Sequence, residues 1–371
     1  MSNIKIKKIQ NKLKEKNINT LIINRTDEFL NEYISEDSER LLWATDFSGS
    51  AGRAIVSQNA ATLFVDGRYT FQAKEQLDTS QISIEHLNDF SKKLSGNFIK
   101  NECIAIDPRL HSIEETLKYV DLSVKSETKL YFTEDNLIDE LWDNKPIRNY
   151  GLVFDHPKNF AGIESSKKLE HVIETLDKNN LGAYFLSSLD SIAWLLNLRG
   201  SDILNTPLAF AFLLISLDDK PVLYVKIDMV EPLLKARLAK YINIEPIEKI
   251  KEVFNDLNHQ TKIGFDFKNS SYFFYDLAIK KNCVPSHLEN PCLIPKASKN
   301  AVELEGARKA HVRDGVSVTK FLYWLKNHQN IENENEISAA AKLFSFRNSN
   351  DLFHSISFDT ISAIGKNAAL P

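Results

Sequence analysis

Cysteine is scarce in this sequence. Only Cys103, Cys283 and Cys292 occur among 371 residues, an odd number with no Cys-x-x-Cys spacing. That excludes a disulfide framework and fits reduced, buried thiols in a cytoplasmic protein. Long apolar runs are also missing. The longest, residues 208–217, is too short to span a bilayer, and no apolar stretch follows Met1 as a secretory signal would require. A soluble chain with no membrane partner is expected. No sign of charge dominates: 46 Lys and Arg stand against 50 Asp and Glu, a net charge of −4. Nothing there attracts a phosphate backbone, so no nucleic-acid partner is expected. Complete catalytic sets are absent as well. There is no His-Glu-x-x-His, no Gly-x-Ser-x-Gly, no phosphate-binding glycine loop and no Cys/His zinc spacing. The nine histidines are scattered singly, and His311 and His354 read as surface or core residues rather than ligands.

Hydrophobic residues make up 43% and charged residues 26%, the balance of a globular chain with a sizeable core. The early lysines (Lys5, Lys7, Lys8, Lys12, Lys14, Lys16) interleave with Ile4, Ile6, Ile9 and Leu13, the pattern of an amphipathic helix with a solvated face.

An internal repeat organises the rest. Leu13, Ile18 and Asp27 recur as Leu176, Leu181 and Asp190 at a constant offset of 163. Each set reads as amphipathic helix, turn and buried strand. Trp43 and Gly49-Ser50 recur as Trp194 and Gly200-Ser201 at an offset of 151. The first copy therefore carries about 12 extra residues, and the polar, acidic residues 31–40 suit a surface loop. Strands are expected at 53–57, 62–65 and 103–107 in the first copy, and at 209–216, 222–225 and 262–266 in the second. Helices are expected at 68–76 and 230–238. Helices alternating with strands give two similar α/β domains with mixed sheets, at residues 1–150 and 156–295, joined through a turn-rich linker around 142–157.

A third unit, residues 298–371, opens at Asn300-Ala-Val-Glu303, which has capping-box spacing. Its helix places Val302, Ala307, Ala310, Val316, Phe321, Leu322 and Leu325 at apolar positions. Asn333 and Glu336 repeat the pattern before a second helix ending near Arg347, and residues 355–364 alternate loosely as a strand. Two helices and a strand leave apolar faces uncovered, so this unit reads as the incomplete start of a domain.

Two polar turns are candidates for function. Asp66-Gly-Arg68-Tyr follows a strand and opens a helix; its plain role is an N-cap, and its functional role would place Arg68 at a subunit contact. Arg199-Gly-Ser-Asp202 follows an apolar run. Its plain role is a polar turn with an internal Arg199–Asp202 contact, and its functional role is the rim of a cleft.

At these residues a resemblance becomes specific. Leu63-Phe-Val-Asp-Gly-Arg-Tyr-Thr-Phe-Gln-Ala73 and Asp190-Ser-Ile-Ala-Trp-Leu-Leu-Asn-Leu-Arg-Gly-Ser-Asp-Ile203 resemble signatures of the aminopeptidase P family. Lys299-Asn-Ala-Val-Glu-Leu-Glu-Gly-Ala-Arg-Lys-Ala-His-Val-Arg-Asp-Gly315 resembles the helix that opens that family's catalytic domain. Residues 358–371 resemble the strand and turn leading to its first active-site histidine. The four segments keep the family's order over nearly the whole chain. The resemblance implies the long, cytosolic, three-domain Xaa-Pro aminopeptidase: two creatinase-like N-terminal α/β domains, then a pita-bread α+β metallopeptidase domain. It implies proline-containing peptides as substrates and two bridged divalent metals, usually manganese, that activate a water. It also implies that every metal ligand lies downstream of Pro371, so no catalytic or metal-binding residue is carried over to this sequence, and the chain alone is expected to be inactive. Pairing with a second copy, a non-catalytic interaction module like the metal-free pita-bread domain of a histone chaperone subunit, and one piece of a split enzyme are the alternatives.

Overall fold

The computed structural model describes residues 2–369. Its first sheet holds β1 (Thr20–Asn24), β2 (Gly52–Ser57), β3 (Ala61–Val65), β4 (Ser83–His86), β5 (Cys103–Ile106) and β6 (Lys129–Phe132), in the order β4-β3-β2-β1-β5-β6. All five residues of β1 are buried, because helices cover both faces of the sheet. The helix Ser2–Glu15 covers one face with Ile6, Ile9 and Leu13, each at most 1% exposed, and turns most of its lysines outward as its periodicity predicts. Burying each such side chain contributes about 1.5–3 kcal/mol.

The chain then passes through β7 (Val153–Asp155) into a second sheet. Its strands are β8 (Ala183–Leu186), β10 (Ala211–Ser216), β11 (Val222–Val225), β12 (Asn243–Pro246), β13 (Lys262–Phe265) and β14 (Val284–His287). The short β9 (Leu198–Gly200) pairs with β7 outside it. The order β12-β11-β10-β8-β13-β14 matches the first sheet strand for strand. So do the directions. β1 runs antiparallel to β2 and β8 to β10, at Thr20↔Ser57 and Ser216↔Ala183, and they run parallel to β5 and β13 respectively. The duplication expected from the sequence offset is thus a duplication of topology. The expected linker is partly structured, since its end forms β7.

The two sheets meet through the same element of each repeat. Five residues after the aspartates that follow β5 and β13 (Asp107 and Asp266), Ser112 and Ser271 form an antiparallel bridge. Ile113 N donates to Ser270 O at 3.0 Å, and Tyr272 N returns to His111 O at 2.9 Å. Each repeat gives the other the bond it receives, which is the geometry of an isologous contact about a local two-fold axis.

The extra residues of the first repeat depart in part from expectation. Glu32, Tyr33 and Glu36 are exposed as a surface loop requires, but Asp37, Ser38 and Arg40 are 7%, 0% and 8% exposed, so the end of the loop is anchored inward. Their charges are paired across the chain. Arg148 donates to Glu28, Asp37 and Ser38, and Arg40 makes a two-pronged contact with Asp139 at 2.8 Å. Just upstream, Phe29 inserts into the second repeat, 5.2 Å from the Phe210 ring and 4.5 Å from Phe212.

After the second sheet, helices Ala301–Asn327 and Glu336–Asn348 pack on each other. Asn300 forms the expected capping box with Glu303. The second cap is corrected by two residues: Asn335, with Ser338, holds the box rather than Asn333 with Glu336. The strand expected at residues 355–364 is not formed. An extended segment is stable only against a neighbouring strand, and no described strand lies beside it. The apolar face of these helices is open, with Val316 51% and Leu325 40% exposed and Phe321 half-buried.

Candidate functional site

Arg68 lies far from the other candidates in role. Asp66 accepts from Arg68 N at 2.9 Å, so the capping function is real, and the Arg68 guanidinium folds back onto the same carboxylate at 2.6 Å. That contact holds the Asp66 carboxyl below the usual carboxylate range. The Arg68 side chain remains 63% exposed.

Arg199 and Asp202 sit where the second repeat faces the C-terminal helices. The apolar helix Leu189–Leu196 ends at Asn197, whose left-handed φ of 49° turns the chain sharply into β9. Arg199 then lies opposite Phe154 of β7. Its Nη1 donates to Leu198 O at 2.8 Å and Ala193 O at 3.3 Å. Asp202 accepts instead from Phe210 N at 2.6 Å and from Gly151 N, stitching the linker to the strand β10. The expected internal contact between Arg199 and Asp202 is therefore not made; each side chain is taken by backbone groups. Burial raises the Asp202 pKa against the pull of those two N–H groups.

Around Arg199 the structure gathers cations that the sequence reading missed. Lys168, 5% exposed, donates to Trp194 O and Asn197 Oδ1, both at 2.8 Å, and lies 4.3 Å over the Trp194 ring. Burial pulls its pKa down to about 8; Glu303 raises it and Arg199 lowers it. His156 is pushed down to about 4 by burial, then by Arg199 and Lys168. Arg237 closes the group, donating to Leu196 O, Asn197 O, Ser165 Oγ and Tyr241 OH, and pairing with Asp155 at 2.7 Å. Three fixed cations against Asp155 and Glu303 make a positive seam that suits an acidic group. Sequence spacing gave no signal for it, because its members come from residues 155–303.

The seam is also where the C-terminal unit docks. Asn300 Nδ2 donates to Ala161 O at 2.8 Å. Gly162 has φ 76°, and a Cβ there would stand 2.3 Å from Asn300 Oδ1, so the close approach needs glycine. The His354 ring lies 6.0 Å from Phe154, while His311 is exposed and bonded to Ala307 O. Among the described residues, no three His, Cys, Asp or Glu side chains come together as a metal site.

Comparison with known proteins fits this architecture. The Creatinase/Prolidase N-terminal domain family matches the chain twice, over residues 5–129 and 144–303. A probable Xaa-Pro aminopeptidase P of Coccidioides posadasii is 31% identical over 380 residues, covering 99% of this chain and 62% of that protein. One from Talaromyces marneffei is 31% identical over 96% of this chain and 56% of its own length. The crystal structure of X-prolyl aminopeptidase from Caenorhabditis elegans, described as a cytosolic enzyme with a di-nuclear active site, superposes with a TM-score of 0.91. It is 25% identical, over 100% of this chain and 64% of that one.

The chain carries two domains of the Creatinase/Prolidase N-terminal family.

The family resemblance and the fold of two creatinase-like domains with mixed sheets are thereby confirmed. The chain spans about 60% of the length of the relatives it matches. No described helix is long and apolar enough to cross a membrane.

Proposed function

We propose that this chain forms the scaffold of an Xaa-Pro aminopeptidase: two creatinase-like domains and the opening helices of the catalytic domain. In the complete assembly, a pair of divalent metals would activate water to release the residue ahead of a proline. The donor set here does not fit that pair, since no three candidate ligands converge among the described residues. No step is therefore assigned to residues of this chain, and the 371 residues alone are proposed to be inactive. The open apolar face at Val316 and Leu325, at the start of the third unit, carries this reading, because a finished catalytic domain would cover such a face. Three segments are proposed as units: residues 1–150, 156–295 and 298–371. Arg199, with Lys168 beside it, is proposed at the rim of the cleft, where it would meet an acidic group of a peptide; Asp202 holds the adjacent turn. Arg68 is proposed for a contact with a second copy, and the cytosol as the site of action.

The test is to purify residues 1–371, add manganese, and assay a peptide with proline second beside a full-length relative. Activity that is metal-dependent, abolished by a chelator and absent from a mock preparation would refute the proposed inactivity. Activity appearing only when a separately expressed catalytic segment is added would support a split enzyme.

A further inference from the structure

At the carboxyl ends of β1, β5 and β6 the first repeat contains a small, partly enclosed gap, walled by Asn24, Arg40, Asp107, His111, Thr133 and Asn136 together with apolar residues of β1. Its volume, about 10 Å³, is that of a site for a single water. This end of a sheet, where the chain leaves parallel strands, is where open α/β folds receive ligands. Three buried polar atoms of the wall have no protein partner: Arg40 Nη1, His111 Nε2 and Thr133 Oγ1. Their residues are 8%, 1% and 5% exposed. A buried polar group left unpaired is costly, and three around one gap compound the cost.

We propose that this gap is a binding site for one water molecule, held by Arg40, His111 and Thr133. The donor and acceptor roles are complementary. His111 Nδ1 lies 2.9 Å from Asp107 O, an acceptor, so Nδ1 carries the proton and Nε2 presents a lone pair. Arg40 Nη1 can only donate, and the Thr133 hydroxyl can do either. One water donates to His111, accepts from Arg40 and takes Thr133 as its third partner. Charge selects water over an ion. Asp139 matches the Arg40 guanidinium with two bonds of 2.8 Å, and Asp107 is engaged by Arg109 and Asn136, also at 2.8 Å. Asp139 also holds Lys145 at 2.7 Å, but among the residues that wall the gap the charged ones are Arg40 and Asp107, one of each sign, and each is already engaged by an opposite charge. The second repeat closes the equivalent region differently, with Asn290 Nδ2 donating directly to Ser191 Oγ at 2.8 Å. Arg40 comes from the end of the first repeat's extra segment, so the insertion seals this crevice around solvent and leaves the domain a scaffold.

Two measurements on the full chain test this. A high-resolution crystal structure should show one density peak within hydrogen-bond distance of at least two of the three atoms; an empty gap overturns the proposal. Thr133→Val is nearly isosteric and distinguishes a wet site from a dry one. If water is bound, the variant should melt lower by about 2–4 °C, and Thr133→Ser, which keeps the hydroxyl, should recover most of that loss. If the gap is dry, valine removes an unpaired hydroxyl, and the melting temperature stays level or rises. A serine variant as damaged as the valine one would assign the loss to methyl packing and also overturn the proposal.

Discussion

Replacing Phe29 by alanine should loosen the two repeats from each other while leaving each sheet folded. Phe29 is 3% exposed, and its ring stacks on Phe210 with an interplanar angle of 11° and on Phe212 with 24°. Truncating a buried phenylalanine costs about 3–5 kcal/mol through lost transfer energy and the cavity left behind. Aromatic pairing accounts for about 0.5–1.5 kcal/mol of such a loss per pair. Phe210 and Phe212 remain packed against Tyr150, Phe185 and Phe274, so the second core survives the truncation. The first core loses nothing at β1. What remains of the junction is the pair of reciprocal bonds around Ser112 and Ser271, the bond from Glu114 N to Phe267 O at 2.8 Å, the stacking of Phe132 on Tyr272, the burial of Ile113 and the Arg148 contacts. Native-state hydrogen exchange is the suitable assay, because a two-domain chain need not unfold in one step. The amides of Ile113 and Tyr272, which cross the junction, should exchange at least a hundredfold faster in the variant, the lower bound that about 3 kcal/mol implies. The amides of Ile22 and Phe185, inside the sheets, should keep most of their protection. Unchanged protection at Ile113 and Tyr272 would show that Phe29 does not hold the repeats together.

Beside that ring, Asp27 is fully buried and pushed up to about 6 by burial and then by Glu28, against its bonds from Asn31. A folded pKa above the unfolded value near 4 means that folding favours the protonated form. The benefit is full below about pH 4 and is lost as the pH rises through 6, about 3 kcal/mol in all. Asp27→Asn should remove this slope, so the stability difference between variant and wild type, followed by urea denaturation from pH 4 to 7.5, should grow in the variant's favour; a flat difference refutes it. Gly162→Ala, at φ 76° against Asn300, should destabilise docking of the helix Ala301–Asn327 by more than 1 kcal/mol, read as faster exchange in its first turn. Val316→Lys together with Leu325→Lys should lower binding of a hydrophobic dye and self-association without changing the helix signal in circular dichroism; unchanged dye binding would place the sticky surface elsewhere.

The repeat was legible because duplication leaves matched residues at constant spacing, and spacing survives in a single sequence. Leu13 and Leu176 are both fully buried on the helices that open their repeats. What escaped the reading depended on partners distant in sequence. Nothing local marks Asp37 and Arg40 as buried, because the groups that neutralise them, Arg148 and Asp139, lie more than 90 residues away. The cations Lys168 and Arg237 carry no local signal that sets them apart on their helices, and only the fold brings them to the turn that holds Arg199. The absent strand at 355–364 shows the converse. Alternation is a local signal, but a strand is a property of a pair, and the local pattern cannot supply the second member.

The insertion and the linker together explain why two similar repeats are not equivalent. The reciprocal bonds at Ser112 and Ser271 treat the repeats alike, and a symmetric contact of that kind would serve two separate copies equally well. The asymmetric contacts lie elsewhere. Arg148 reaches from the linker to Glu28, Asp37 and Ser38 on one side and lies 4.8 Å over the Phe210 ring on the other. Buried ion pairs add less to stability than their Coulomb energy suggests, yet losing one partner strands the other charges, so they enforce one arrangement over its alternatives. The first repeat thus spends its extra residues on fixing its angle to the second. The second repeat keeps its corresponding helix end free for Arg199, Lys168 and the turn to Asp202, on the side that receives Asn300 and the C-terminal helices. A duplicated domain has in this way divided its surfaces, one copy bracing the other and the braced copy positioning the helices that open the third unit.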